Sequence, residues 1–477
     1  MSGAQQRDGS SPLPKEVTTM SGIPLKPVYT WDDFRGLSFP EILGNPGAPP
    51  YTQGIHMQRK RSLQFAEAEK GLRPVTKEVK QMNALRKALV VGIVVSISVS
   101  GFMLVASKGG EPKTLKVAVI TALSGTGAEW GRGILHGAEL AIEEVNAQGG
   151  VDIGGEKYRI EVVVYDDKYT AAGGTAAAHK AVFSDGVKFI IGPISSASGL
   201  AMQEITEKNK VLLIADTWAR EFLGPGKPYT FRVFMTSTQA APGLARWVKK
   251  KYPHAKTVVT VAANDASGWS VAEDYKGAYE AAGIKVIAQE FPERATKDYY
   301  PVLTRIKGQN PDIIQECAIG VGAAALLTKQ AKELGIKAPV IGGAWIDPDT
   351  FVKSAGGPEF AEGYIYPVVF DRNSKDPKIV EFVKKFQAKY GPNEPMTTVD
   401  PSFYDGTRLF LEALKRAGTI DVDKVKEALE AIEEFDGVLG KMRWTGNETY
   451  GINHQIYQSF YVAEIKNGRE VIIEKVE

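Results

Sequence analysis

TLKVAVITALSGTGAEWGRGILHGAELAIEEVNAQGGV, residues 114–151, and YRIEVVVYDDKYTAAGGTAAAHKAVFSDGVKFIIGPISS, residues 158–196, set the fold. Leu115–Ile120 is a short, nearly continuous apolar run, the pattern of a parallel strand covered on both faces. From Arg132 to Asn146 the apolar residues Ile134, Leu135, Ala138, Ala141, Ile142 and Val145 fall on one face of a 3.6-residue period, which predicts a helix. A strand ending in Asp166-Asp167 comes next, then an alanine-rich helix over Ala171–Phe183, then the strand VKFII.

Working outward, the alternation continues. VLLIA, TVVTVAA, KVIAQ, PDIIQE and PVIGG read as further strands, most of them separated by helical stretches. Strand and helix in alternation predict an α/β architecture with parallel sheets and right-handed crossovers. About 360 residues of this pattern exceed one comfortable sheet, so two lobes are expected.

The first 110 residues follow other rules. Residues 1–56 are rich in Pro, Gly and Ser without an apolar period, and residues 57–81 carry mixed charge, so 1–81 is expected to be an extended or disordered leader. Arg86-Lys87 then precedes Ala88–Ala106, 19 residues without a charge. Roughly 20 apolar residues cross a bilayer as a helix, so 82–110 is expected to be a signal peptide or membrane anchor. A start at Met82 would give this segment a conventional basic leader. Residues 1–81 are therefore expected to be a mis-assigned start or a gene fusion.

Composition narrows the chemistry. Hydrophobic residues at 43% and charged residues at 24% suit a globular protein, and a formal net charge of +2 provides no field for nucleic acid. Cys317 is the single cysteine, so no internal disulfide is expected, and five scattered histidines do not make a zinc site. Gly125, Gly127 and Gly131 follow the first strand as G-x-G-x-x-x-G, one residue longer than the dinucleotide fingerprint, and no phosphate-binding P-loop motif occurs. No cofactor and no metal are expected. Asp166-Asp167 is read as a turn-capping pair rather than an acid–base pair.

The turn Gly192-Pro193-Ile194-Ser195-Ser196 carries the functional signal. It leaves a parallel strand at the carboxyl edge of the sheet, where ligands of open α/β folds bind, and it opens a helix, whose free N–H groups suit a carboxylate. From the residues alone, Ser195 and Ser196 are equally well a helix cap or an anion seat.

Together with PSFYDGTRLFLEALKRAG (residues 401–418), the quoted stretches resemble the leucine/isoleucine/valine-binding protein family, bilobed receptors of the type I periplasmic-binding fold, over residues 115–470. The resemblance implies lobe one at 115–237 with 365–440 and lobe two at 238–364 with 441–477, joined by three crossovers and closing on a solute. It implies a non-enzymatic, extracytoplasmic solute-binding component of an ABC importer, with a membrane permease as partner and a branched-chain amino acid or related carboxylate or amide as solute. A ligand-sensing regulator of the same fold is the alternative, and the apolar segment speaks against it.

Carried over residue by residue, Trp130 lines the cleft, Ser196 beside Ser195 holds the carboxylate, and Thr217 meets the solute through its backbone. Ala219 and Ala344 stand where relatives place a Thr and a Glu for the ammonium. Ser267 stands for a tyrosine, with Trp269 two residues on. Asp216, Asp265 or Asp347 would have to replace the missing carboxylate; otherwise the solute lacks an amino group, and Trp130, Trp218, Trp269 and Trp345 would favour an aromatic or bulky apolar acid or amide. Residues 18–56 separately resemble the N-terminal arm of methylmalonyl-CoA mutase large subunits. The mutase barrel and its cobalamin loop are absent, so no mutase activity follows.

Overall fold

A computed structural model describes residues 112–125 and 127–476, together with a two-residue antiparallel pairing of Val17–Thr18 with Pro24–Leu25. The chain divides into two units, Met1–Ala106 and Ser107–Glu477. Apart from that pairing, the expected leader and the apolar run 88–106 lie outside the described residues. Among the described residues no helix is long and apolar enough to cross a membrane.

The second unit holds two sheets. The strands, in chain order, are β1 (Lys113–Thr121), β2 (Val151–Ile153), β3 (Glu156–Asp166), β4 (Phe189–Ile191), β5 (Leu212–Ala215), β6 (Thr230–Arg232), β7 (Thr257–Ala262), β8 (Lys285–Glu290), β9 (Ile313–Cys317), β10 (Val340–Ile341), β11 (Ile365–Val368), β12 (Phe435–Gly437), β13 (Gly440–Thr445), β14 (Gln455–Tyr457), β15 (Phe460–Lys466) and β16 (Arg469–Val476). The first sheet runs β12-β13-β14-β6-β5-β4-β1-β3-β2 and the second β8-β7-β9-β10-β11-β15-β16. Each has a parallel centre, β3-β1-β4-β5-β6-β14 in the first and β8-β7-β9-β10-β11 in the second, with antiparallel strands added outside. The order is that of a doubly wound sheet, whose crevice opens where consecutive connections leave in opposite directions.

Both faces of the first sheet are covered, as an apolar strand run demands. Val117, Val119, Phe189, Ile191, Leu212 and Ile214 pack with Ile134 and Ala138 of the helix Ala128–Ala147. The alternate residues Ala118, Ile120, Ile190, Leu213 and Ala215 pack instead with Ala177, Ala178 and Met202. Strand periodicity of two thus splits one apolar run between two cores.

The chain passes between sheets three times: after β6 into the helix Ser237–Lys251, after β11 toward the helix Pro377–Tyr390, and between β14 and β15. Three crossovers are the expected number, but two expected boundaries need correction. β11 pairs with β10 and β15, so residues 365–368 belong to the second sheet. β13 and β14 join the first sheet through β6, so residues 441–457 belong there. An apolar run announces a strand without stating its partner, and pairing is decided by tertiary register.

Candidate functional site

The site begins at the end of β4. Gly192 has φ +100°, and a Cβ there would stand 2.0 Å from the carbonyl oxygen of Ile120, so only glycine turns the chain at this point. The turn delivers Ser195 as the cap of the helix Ser196–Thr206, its Oγ accepting from the Ser198 amide at 3.3 Å. Ser196 is buried, and its Oγ accepts from the backbone amides of Trp218 (2.9 Å) and Ala219 (3.0 Å). With its acceptor positions used by amides, the hydroxyl proton is left to donate. The first helical N–H groups lie beside it, where a helix has no internal partner for them. Hydroxyl and amides together are an arrangement chemically able to receive an anion, called the seat below.

Beside the seat lies a small chamber walled by Trp130, Tyr169, Ile194, Trp218, Ser267, Ala318, Ala344 and Trp345. Both lobes contribute to it. The Trp218 ring meets Trp345 at 5.0 Å between centroids, and Phe234 backs Trp345 at 3.9 Å. The indole of Trp218 donates to Asp216 Oδ1 at 2.9 Å, which fixes the ring plane. The indole N–H groups of Trp130 and Trp345 are buried and meet no protein acceptor. Tyr169 sits in the left-handed region (φ 62°), after Lys168 at φ 55°. Asp166 and Asp167 hold that turn by accepting from the amides of Lys168 (2.9 Å) and Tyr169 (2.8 Å), the capping role expected of the pair.

A second, outer cavity shares Tyr169 and Ser267 with the chamber and adds Ser195, Ser196, Ala197, Asn264, Asp265 and Arg294. The lobes touch around it. Arg220 donates its amide to Ser270 Oγ at 3.1 Å and pairs with Asp274, and Arg294 lies over the Tyr169 ring at 5.4 Å.

The sequence profile described as Periplasmic binding protein matches residues 114–470. The chain belongs to that family. It is 28% identical over 349 residues to the leucine-, isoleucine-, valine-, threonine-, and alanine-binding protein of Pseudomonas aeruginosa, covering 70% of this chain and 86% of that one. The isoleucine complex of LivJ from Streptococcus pneumoniae, a branched-chain amino acid transporter substrate-binding protein, is 26% identical with a TM-score of 0.66, covering 76% of this chain and 99% of that one. A solute-binding protein of an ABC transporter from R. palustris in complex with benzoate, 24% identical, shares the fold with a TM-score of 0.64, covering 76% and 96%.

In this periplasmic binding protein the expected site residues do not all converge. Trp130, Ser267 and Trp345 line the chamber, while Ser195 and Ser196 line the outer cavity. Ala219 acts through its amide on Ser196. Thr217 is wholly buried, its methyl directed at Gly199 and its hydroxyl without a protein partner. Trp269 is 52% exposed and donates to Asn264 Oδ1 at 3.1 Å, away from the chamber. Asp347 caps the helix Pro348–Ala355 and pairs with Arg372 at 3.2 Å, outside both cavities.

Two of the three candidate carboxylates are held by arginines, and the third, Asp216, keeps an unpartnered Oδ2 but lies outside the chamber wall. Asp347 is held by Arg372. Burial pushes Asp265 up, but Arg294, at 2.5 Å and 3.0 Å, holds its carboxyl below the usual value. Burial raises the Asp216 carboxyl to about 8 against the Trp218 bond and Arg232. Sequence reasoning missed Tyr169 and Arg294. Tyr169 directly follows the flagged Asp166-Asp167-Lys168 turn, which could have pointed to it; Arg294 has no local signal at all.

Proposed function

We propose that this protein is the extracytoplasmic solute-binding component of an ABC importer and that its solute is a small aromatic carboxylate. The observation that carries the reading is the composition of the chamber wall. It offers aromatic faces and two unsatisfied indole donors, and among the described residues it contains no carboxylate to receive an ammonium. Aromatic walls favour a flat ring, indole N–H groups favour oxygen acceptors, and a buried unpaired ammonium would cost several kcal/mol. Ala219 and Ala344, placed where amino-acid receptors carry a Thr and a Glu, support the same reading, and so does the benzoate complex of the R. palustris protein.

In this reading the ring enters the chamber and the carboxylate reaches the Ser196 hydroxyl and the amides beside it. Closure follows because the solute touches both lobes, which lowers the free energy of the closed form more than that of the open one. The closed face then meets a membrane permease, and residues 88–106 serve as export signal or anchor.

A thermal-shift and calorimetric panel of benzoate, 4-hydroxybenzoate, benzamide, leucine and isoleucine tests the solute class. Aromatic acids are expected to raise the melting temperature with concentration. Stabilisation by leucine and isoleucine alone defeats the reading. Cell fractionation tests the location, and a cytoplasmic protein would favour the sensor alternative.

A further inference from the structure

Arg232, the last residue of β6, is wholly buried. Its guanidinium lies between the rings of Phe222 and Tyr450, 5.7 and 5.3 Å from their centroids. Nη1 donates to Gln455 Oε1 at 3.0 Å and to the Tyr450 hydroxyl at 3.3 Å, and Nη2 donates to the Ala219 carbonyl at 2.7 Å. Nε has no partner. Every acceptor is neutral, and among the described residues Arg232 forms no ion pair. A buried cation without an anion is costly, so its charge has to be answered elsewhere.

Ala219 links this cation to the seat. Its carbonyl receives Arg232, and its amide donates to Ser196 Oγ at 3.0 Å. The positive charge therefore stands one residue behind the hydroxyl that faces the solute. Two carboxyls act on Arg232 through their fields, Asp216 and Asp274. Asp274 is already shared by Arg220, Ser237 and Thr238. Asp216 is held largely protonated at neutral pH by burial and does not cancel the charge.

We propose that Arg232 is a remote counter-charge that makes the seat at Ser196 select a carboxylate over its neutral amide. This specificity-determining role rests on the carboxylate reading above. It requires no contact with the solute, because a charge several ångströms away in a weakly screened interior still acts.

The test compares affinities for benzoate and benzamide by calorimetry in the full chain. R232Q keeps a donor near Ala219 but removes the charge, and the benzoate-to-benzamide affinity ratio is expected to fall about tenfold. R232K restores most of the ratio even though its hydrogen bonds differ. Equal weakening of both ligands in R232Q overturns the proposal and makes Arg232 a packing residue only. If wild type binds neither ligand, the aromatic reading fails by itself, and the carboxylate–amide pair of whichever acid raises the melting temperature then tests Arg232. If R232Q does not fold, the wild-type ratio is followed from pH 6.5 to pH 9.5. Ionisation of Asp216 then offsets Arg232, with Asp274, Tyr450 and Lys227 as the other groups whose fields reach it. The ratio is expected to fall, and a flat ratio overturns the proposal.

Discussion

At the scale of single residues, the site depends on how hydrogen-bond capacity is shared. Ser196 Oγ accepts from two backbone amides, which leaves its one proton to donate, in the proposed reading to the solute. Ser196→Ala removes that donor and leaves the Trp218 and Ala219 amides unpaired. We expect benzoate affinity to fall by about 1–3 kcal/mol and stability to drop by a similar amount, read by calorimetry and urea melts. Asp216 behaves differently. Its carboxyl titrates near 8 in the folded protein against an ordinary 3.8, because burial disfavours the charge. Between those values the folded protein keeps a proton that the unfolded chain has released, so stability falls as pH rises through this window. Asp216→Asn keeps an oxygen for the Trp218 indole and should flatten that dependence, measured as melting temperature from pH 5 to pH 9.

At the scale of elements, helix contact geometry depends on small side chains. Where the helix Ala128–Ala147 crosses Val399–Ala417, a Cβ on Gly137 would stand 2.3 Å from the Asp400 carbonyl oxygen and 2.6 Å from the Tyr404 amide. Gly137→Ala must push the helices apart, at about 1–3 kcal/mol by urea denaturation. The strands named from the sequence between Leu115 and Ile341 all recur, because apolar runs of that length have few other uses. β6 was illegible. It has three residues and ends in an arginine, and a charged residue in sequence reads as surface although here it is wholly buried.

At the scale of the whole molecule, closure depends on contacts remote from the chamber. Arg220 joins the first lobe to Asp274, and its amide adds a bond to Ser270. Arg220 is half exposed and Asp274 is nearly buried, so the pair is worth more than an open surface ion pair. Arg220→Ala should shift the population toward the open form and weaken benzoate two- to tenfold without touching the solute. Small-angle scattering should show a larger radius of gyration for the variant at subsaturating benzoate and the wild-type value at saturation.

The linear chain by itself determined the α/β alternation and the division into two lobes, and it singled out the turn at Ser195-Ser196 on which the proposed function is built. Each of these rests on local periodicity or on a turn whose residues adjoin in sequence. Tertiary structure decided which strands share a sheet, placed Trp269 and Asp347 outside the walls of the two cavities, and set Tyr169 and Arg294 on those walls with Arg232 behind Ala219. Those outcomes depend on register and on partners up to about two hundred residues apart, such as Gln455 beside Arg232. Pairing at that distance leaves no mark in the order of the residues.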